Sequence, residues 1–206
     1  MLSVDVTRSL KHVYSATGMV NEVTCPAGTY LACDGSGDPA TDLFASAIER
    51  LHAVAYTAKF QLKENAGINF KVPKLECIWL MEDPDWTARE NWRWQLLLRV
   101  PPELTQKVLK ESCRTLSIRK NLDASDITRV SRGREVALHI LHVGPYETLG
   151  QSYSTIMEYA SQHQYRQTGP YHEIYLSDPR RIVPARLKTI VRVPVAAKKT
   201  DTVKER

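Results

Sequence analysis

The sequence predicts an α+β fold in which a strand–helix–strand–strand unit occurs twice. In both halves, β-like runs and helical periodicity follow in the same order, and short segments of the halves are alike. Leu98-Arg99-Val100-Pro101 closes the first half as Val191-Arg192-Val193-Pro194 closes the second. We expect the two units to pair their sheets around a pseudo-twofold axis, with helices on one face and a ligand cleft on the other.

The first unit is predicted over residues 29–101. Its first strand, over 29–34, ends in the turn residues Gly35-Ser-Gly37-Asp-Pro39. Thr41 or Asp42 can cap the helix that follows. The apolar residues of this helix recur at roughly three- and four-residue steps: Phe44, Ile48, Leu51, Ala55 and Leu62. Two β-like runs, over 75–81 and 92–100, complete the unit.

The second unit is predicted over residues 135–194, after a connecting helix at about 103–119. It has a strand over 135–143, an amphipathic helix, and strands over 171–176 and 187–193. The helix is marked by Leu149, Tyr153, Ile156 and Ala160. One domain that combines both units is therefore expected over 29–195. Residues 1–28 are an N-terminal lead-in without assigned structure, and 196–206 are expected to be a disordered basic tail.

The composition is that of a soluble globular protein, with 43% hydrophobic and 25% charged residues. The net charge of +5 raises the question of nucleic acid. However, four basic residues lie in the tail and most of the others are scattered among acids, so we expect no nucleic-acid partner. No segment has the length of a membrane span or the pattern of a signal peptide. Four separated cysteines without a C-x-x-C pair indicate free thiols in the cytoplasm. A monomer or a dimer is compatible with all of this.

No motif in the chain predicts a metal, a cofactor or a serine nucleophile. His139 and His142 are three residues apart on a predicted strand and so point to opposite faces. There is no H-E-x-x-H sequence, no cluster with ligand spacing and no G-x-S-x-G elbow. Gly35-x-Gly37 superficially resembles a phosphate loop, but the third glycine and the Lys-Ser/Thr pair are missing. A tight strand-to-helix turn is the favoured interpretation, and Gly144-Pro145-Tyr146 has the same place in the second half.

Glu173 is the residue most informative about function. Glutamate is disfavoured in strands, yet this one lies inside a β-like run between Tyr171 and Tyr175. Alternation places Tyr171, Glu173 and Tyr175 on one face and Ile174 on the other. If the aliphatic face packs on the helices, the carboxylate and both tyrosines face the cleft, a wall suited to a flat cationic or polarised ligand. A surface glutamate paired with an arginine explains the pattern equally well.

Three further residues are candidates for the cleft. Glu76 and Trp79 lie on the first-half strand that matches the Glu173 strand, but strict alternation puts them on opposite faces unless a bulge intervenes. Core packing is the commoner fate of such a tryptophan. Tyr56 lies off the apolar stripe of its helix, where it can reach the cleft rim or simply face solvent.

The chain resembles the GyrI-like small-molecule-binding domain family, built from duplicated SHS2 modules, in its stand-alone branch. The resemblance covers about residues 20–195. In the second half it is carried by Val143-Gly-Pro-Tyr146-Glu-Thr-Leu149 and Gly169-Pro-Tyr-His-Glu173-Ile-Tyr-Leu176-x-Asp178-Pro179. In the first half it is carried by Tyr30-Leu-Ala-Cys-Asp-Gly35-Ser-Gly-Asp-Pro39, Ala55-Tyr56-Thr-Ala-Lys59-Phe60 and Pro73-x-Leu-Glu76-x-Ile-Trp79. The sequence departs from the family pattern at Cys77, where a small residue is expected, and at Leu80, where a second tryptophan is frequent.

The resemblance implies a small organic ligand. In related drug-sensing regulators the glutamate matching Glu173 meets cationic aromatic ligands, and some stand-alone members hydrolyse cyclopropanoid DNA-alkylating compounds. On this basis Glu173 and Tyr56 are candidate catalytic residues. The candidate ligand-binding residues are Glu76, Trp79, Tyr146, Tyr171 and Tyr175. The alternative is a non-enzymatic interaction protein such as a DNA gyrase modulator, since one family member inhibits gyrase.

Overall fold

The computed structural model describes residues 2–80 and 87–198, which contain three α-helices and eleven strands. The helices are α1 (Asp42–Ala66), α2 (Gln106–Lys120) and α3 (Leu149–Gln162). The strands are β1 (Leu2–Val4), β2 (Asn21–Cys25), β3 (Gly28–Ser36), β4 (Ile68–Phe70), β5 (Glu76–Trp79), β6 (Arg93–Val100), β7 (Thr128–Arg132), β8 (Glu135–Val143), β9 (Tyr165–Gln167), β10 (Tyr171–Tyr175) and β11 (Lys188–Ala197). No described helix combines the length and the apolar character that crossing a membrane requires.

The duplicated strand–helix–strand–strand unit is confirmed as β3-α1-β5-β6 and β8-α3-β10-β11. Both units contribute to one antiparallel sheet of order β2-β8-β11-β10-β5-β6-β3-β7, with β9 added beside β11. The second strands of the two units, β5 and β10, are neighbours at its centre. There Glu173 pairs with Cys77. Because the repeat also aligns these two residues, the pseudo-twofold axis passes through this pair.

The sheet is strongly curved, as the chain connections show. β2 and β3 stand six places apart in the sheet, which is about 29 Å in a flat sheet with 4.8 Å between strands. Only Pro26 and Ala27 join them, and three peptide units span at most about 11 Å. The residue pair 133–134 joins β7 to β8 in the same way. The strand that precedes each unit therefore pairs with a strand of the other unit. The short connections bring the two edges of the sheet close together.

The helices cover one face of this sheet, here called the helix face. α1 and α2 pack over the first unit on a core that includes Leu51, Leu96 and Leu98. α3 packs over the second unit on a core that includes Ile156 and Val191. Tyr171 contacts both cores, so the helix face is continuous across the central strands.

The N-terminal segment covers the opposite face, here called the reverse face. Val13 is buried there against Val23 and Ala137, and the amide of Leu141 donates to the carbonyl of Thr17 at 2.7 Å. The lead-in is therefore an integral layer of the domain, and it includes β2. Its short strand, with burial confined mainly to Val23 and Cys25, offered little period-2 signal in the sequence.

The two repeated arginines play matched roles on the reverse face. Arg99 donates to the carbonyl oxygen of Ala27 at 2.6 Å and to the hydroxyl of Tyr30 at 2.8 Å. Arg192 donates to the carbonyl oxygen of Val13. Both guanidinium groups are buried and bind main chain that runs across the reverse face. This explains the repeated Arg-Val-Pro ending of the two units, because a buried guanidinium requires such partners.

Element boundaries differ from prediction mainly at the ends. α2 begins only at Gln106, after Thr105, whose hydroxyl accepts a capping hydrogen bond from the Val108 amide. β11 continues to Ala197, beyond the predicted end at 193 and into the segment expected to be a tail. Residues 199–206, which hold most of that segment, lie outside the described residues. β3 continues to Ser36, beyond its predicted end at 34, so Gly35 lies inside the strand, and the turn to α1 begins at Gly37, whose φ is +104°.

Candidate functional site

Glu173 lies at the centre of β10 on the helix face, with 4% of its surface exposed. Its Oε1 accepts a hydrogen bond of 2.8 Å from the hydroxyl of Tyr153 on α3. Its Oε2 accepts one of 2.8 Å from the hydroxyl of Tyr175, two residues further along the same strand. Both oxygens of a buried carboxyl group are thus held by tyrosine hydroxyls, one from the helix above and one from the sheet.

This placement corrects the predicted orientation of β10. Tyr171, Glu173 and Tyr175 were expected on the face opposite the helices, with Ile174 towards them. Instead Glu173 touches α3, while Ile174 pairs with Glu76 on the reverse face. The aliphatic residue did not mark the helix side because the N-terminal segment buries the reverse face as well. A strand buried on both faces carries no such directional signal.

Aromatic rings surround the carboxyl group on the helix face. The rings of Tyr153 and Tyr171 are in edge contact with centroids 4.5 Å apart, and Tyr146 meets Tyr175 edge-on at 5.7 Å. Trp79 of β5 extends this set into the first unit, where it stacks parallel to Phe44 at 6.2 Å. The aromatic set therefore bridges the boundary between the two units, as a shared ligand site requires.

Burial raises the pKa of Glu173, against the opposing effect of the hydrogen bonds from Tyr175 and Tyr153. Burial and the neighbouring carboxyl group likewise raise the pKa values of Tyr153 and Tyr175 well above the usual range. These hydroxyls therefore stay protonated and remain donors. A carboxylate can accept about four hydrogen bonds, so Glu173 keeps acceptor capacity for a water molecule or a ligand.

Cys77 lies directly opposite Glu173 on β5 and is fully buried. Burial, with the charge of Glu173, raises its pKa well above the usual value, so the thiol stays protonated. It is the repeat counterpart of Glu173 and contributes to the sheet surface below the site. Leu80, the other departure from the family pattern, packs on the reverse-face cluster of Tyr30, Ala32, Ile78 and Leu97.

The structure separates Glu76 from Glu173. Glu76 points to the reverse face, where its Oε1 accepts 2.7 Å from the Tyr14 hydroxyl and its Oε2 lies 2.9 Å from Nε2 of His172. Burial opposes ionisation of Glu76, but the contact with His172, the charge of Arg192 and the hydrogen bond from Tyr14 outweigh it and lower its pKa. The side chain predicted to line the cleft is thus engaged on the other side of the sheet.

The two remaining tyrosines differ in their relation to Glu173. Tyr146 is 36% exposed, touches Tyr175, and has its pKa raised to about 12 by burial and by the charges of Glu173 and Asp178. Tyr56 is 47% exposed on α1, and its described ring contact is with the Lys59 ammonium group at 6.0 Å. The structure brings Tyr146 to the edge of the site and does not place Tyr56 in contact with the carboxyl group.

Tyr153 is the functional candidate that the sequence reasoning missed. The sequence pattern identified it only as one position of the apolar stripe of α3. Its signal was available, since a tyrosine at a buried helix position needs a partner for its hydroxyl group. That partner cannot be identified from the spacing within α3, because Glu173 lies twenty residues away on a different element.

The described residues contain no group of three or more His, Cys, Asp or Glu side chains arranged to hold a metal ion. His142 is on the helix face, with Nδ1 2.9 Å from the Ser152 hydroxyl. His139 is on the opposite face, aligned with Arg192. The two histidines therefore point apart, as their odd spacing on one strand requires.

An open depression of about 540 Å³ lies elsewhere, at the ends of β2, β8, β9 and β11. Its wall includes Glu22, Arg134 and Glu135, and the hydroxyl of Tyr165 donates to Glu22 there. This mixed-charge surface lacks the enclosed aromatic set around Glu173. The carboxyl site is itself closely packed, so a ligand has to displace the surrounding rings in order to reach it.

The chain is similar to a known domain family and to solved structures. The model of the GyrI-like small molecule binding domain matches residues 18–196. An uncharacterised conserved protein from Listeria innocua shares 30% identity and superposes with a TM-score of 0.87 over 94% of this chain and all of its own. A hydrolase from Listeria innocua shares 29% identity, with a TM-score of 0.86 and the same coverage. No curated protein matches the chain.

A more distant structure shows how widely the architecture is used. The C-terminal domain of EcmrR superposes with a TM-score of 0.59 at 14% identity, over 87% of this chain and 98% of that domain. EcmrR has also been solved in complex with DNA. At this level of identity the similarity concerns the fold alone.

Proposed function

The chain belongs to the GyrI-like small-molecule-binding family, and we propose that it binds flat hydrophobic molecules, aromatic or cationic, beside Glu173 and hydrolyses cyclopropanoid alkylating compounds there. The observation that carries the proposal is the buried carboxyl group whose two oxygens accept from Tyr153 and Tyr175 among further aromatic rings. Such a group is costly to bury without a function.

The aromatic set supports binding of a flat ligand. Trp79, Tyr171 and Tyr175 present ring surfaces on the same face of β5 and β10 as Glu173. Offset stacking and edge contacts with such rings add roughly 0.5–1.5 kcal/mol each beyond the burial of area. A ligand cation gains further from the ring faces and from the carboxylate, whose low-dielectric surroundings strengthen the attraction.

The carboxyl group supports hydrolysis of a strained ring. In a cyclopropane conjugated to a dienone, water attacks a ring carbon, a C–O bond forms and a ring C–C bond breaks. The released electron pair moves through the conjugated system to the carbonyl oxygen, which takes up a proton and becomes a phenol. Glu173 accepts the proton of the attacking water, and its raised pKa suits it to this role near neutral pH.

Tyr146 is the donor that the geometry favours for the developing phenolate. Its hydroxyl is not among those that hold Glu173, its ring contacts Tyr175, and its raised pKa keeps the hydroxyl protonated. Tyr56, the other candidate catalytic residue, has no described contact with this set. The hydrolase similar to this chain over its full length supports an enzymatic role in general.

The decisive test follows ring opening by mass spectrometry, with wild type and Glu173→Gln incubated with a cyclopropane-fused cyclohexadienone. Glu22→Gln, which alters a carboxylate at the distant depression, is the matched control. We expect loss of conversion in Glu173→Gln and unchanged conversion in the control. Equal, slow conversion by all three proteins removes the enzymatic part of the proposal. Thermal stabilisation by a cationic rhodamine dye then tests binding alone.

A further inference from the structure

The contact between Glu76 and His172 lies on the reverse face, directly behind the candidate site. The carboxylate oxygen and Nε2 are 2.9 Å apart, with both side chains at least 96% buried. The hydroxyl of Tyr14, in the N-terminal segment, donates a hydrogen bond to the other carboxylate oxygen of Glu76. We call Glu76 and His172 the seam pair, because β5 and β10 form the seam between the two units.

The seam pair crosses the pseudo-twofold axis. Glu76 is aligned with Ile174, and His172 is aligned with Ile78, on either side of the Glu173–Cys77 pair. The contact is therefore diagonal and passes behind Glu173 itself. In the internal repeat, Glu76 and His172 occupy equivalent positions. An exactly symmetric repeat would place two identical side chains at these positions. The protein has a carboxylate at one and an imidazole at the other, and these two groups can contact each other.

The site depends on this seam because its parts come from both units. Tyr153 and Tyr175, which hold the carboxyl group, belong to the second unit. Trp79 and Cys77 belong to the first, on a strand of only four residues. A shift of β5, together with the rest of the first unit, along β10 moves Trp79 relative to Glu173. The polar contact across the seam favours one alignment, because any other alignment leaves the carboxylate and the imidazole buried without each other.

We propose that Glu76 and His172 are positioning residues: their contact on the reverse face sets the alignment of β5 and β10 and thereby the distance of Trp79 from Glu173. The inference rests on the proposed function, because it assigns a role at that same site. This positioning role differs from a purely stabilising role. Buried polar pairs often contribute little net stability, but they discriminate strongly between alternative arrangements.

The test measures the dissociation constant of rhodamine 6G for the folded protein, together with its urea unfolding. The single variants are Glu76→Gln and His172→Gln. The rescue variant exchanges the pair, as E76H/H172E, which the repeat symmetry permits; Arg192 is aligned with position 172 and stabilises a carboxylate there. His139→Gln is the matched control, since His139 is an equally buried imidazole of the same face but lies on β8, away from the seam.

We expect each single variant to weaken dye binding about tenfold while folded, as for the loss of a coupled contact. The exchange should restore binding to within about threefold, and the control should stay within about twofold. A folded single variant with wild-type affinity overturns the inference, as does an exchanged pair that folds and binds no better than the single variants.

If neither single variant folds, the Tyr14→Phe variant provides the test. Its folded form should bind about threefold more weakly, and unchanged binding overturns the inference.

The same measurements separate this inference from the proposed function. If wild type binds no dye, or if Glu173→Gln binds as well as wild type, the binding site itself is wrongly assigned. If wild type binds and Glu173→Gln does not, while the seam variants bind normally, only the positioning role is wrong.

Discussion

The hydroxyl of Tyr153 on α3 donates 2.8 Å to Oε1 of Glu173 on β10, and this contact joins the helix layer to the sheet at the candidate site. Both side chains are buried, and each changes the titration of the other. The burial that raises the pKa of Glu173 is partly offset by this hydrogen bond. The behaviour of the site therefore depends on a residue that spacing within β10 does not reveal.

Tyr153→Phe should raise the pKa of Glu173 further, because a donor to its ionised form is lost. The titratable groups facing the carboxyl are Tyr153, Tyr175, Tyr146 and Cys77, all protonated near neutral pH because their pKa values are raised. The pH midpoint of cationic dye binding should consequently move upward in the variant. An unchanged midpoint in a folded variant would show that Glu173 does not govern dye binding. Tyr159→Phe, on the same helix, is the control.

Glu173→Gln should make the protein more stable than wild type at pH 8. The folded-state pKa of Glu173 is raised, so its ionised form opposes folding at every pH above that folded value. This penalty declines as the pH falls and is absent below the unfolded pKa, about 4.3. Urea unfolding should therefore show a difference at pH 8 that vanishes near pH 4. A variant less stable than wild type at pH 8 would mean that the tyrosine hydrogen bonds outweigh burial.

Trp79→Phe should weaken binding of flat dyes by about fivefold, since the smaller ring loses stacking area worth about 1 kcal/mol. It keeps an aromatic ring in the buried cluster with Phe44 and Trp92, so most of the stability should remain. Fluorescence titration gives the affinity. Trp94→Phe changes a buried tryptophan of the same cluster that lies against Gly35 instead. Equal losses in both variants would indicate a general packing effect and no direct contact with the dye.

Gly35→Ala should destabilise the domain by roughly 2–4 kcal/mol, the range of overpacked or strained core substitutions. A methyl group at Gly35 would lie 2.0 Å from a ring carbon of the Trp94 indole, which is buried and has little room to move. Gly18→Ala is the control, because nothing lies within 4 Å of a methyl group there. Urea midpoints compare the two, and similar values would show that the Trp94 ring can yield.

The strands and helices of the repeat were predictable because their residues carry local signals. The stripe from Phe44 to Leu62 indicated α1, and Glu135–Val143 is the observed β8 without change. β2 and β7 were missed because both are short and half exposed, and each pairs with a strand of the other unit. The pairing of a strand with the other unit cannot be recognised from the local periodicity of its residues.

The sequence by itself determined that Glu173 shares a strand face with Tyr171 and Tyr175, since alternation along a strand is a property of the backbone. It also determined the duplicated order of elements and the family. Only the tertiary structure decided which face meets the helices, that Tyr153 holds the carboxyl group, and that Glu76 lies behind the sheet with His172. The reason is physical. The N-terminal segment covers the reverse face, so β10 is buried on both faces, and only long-range contacts distinguish them.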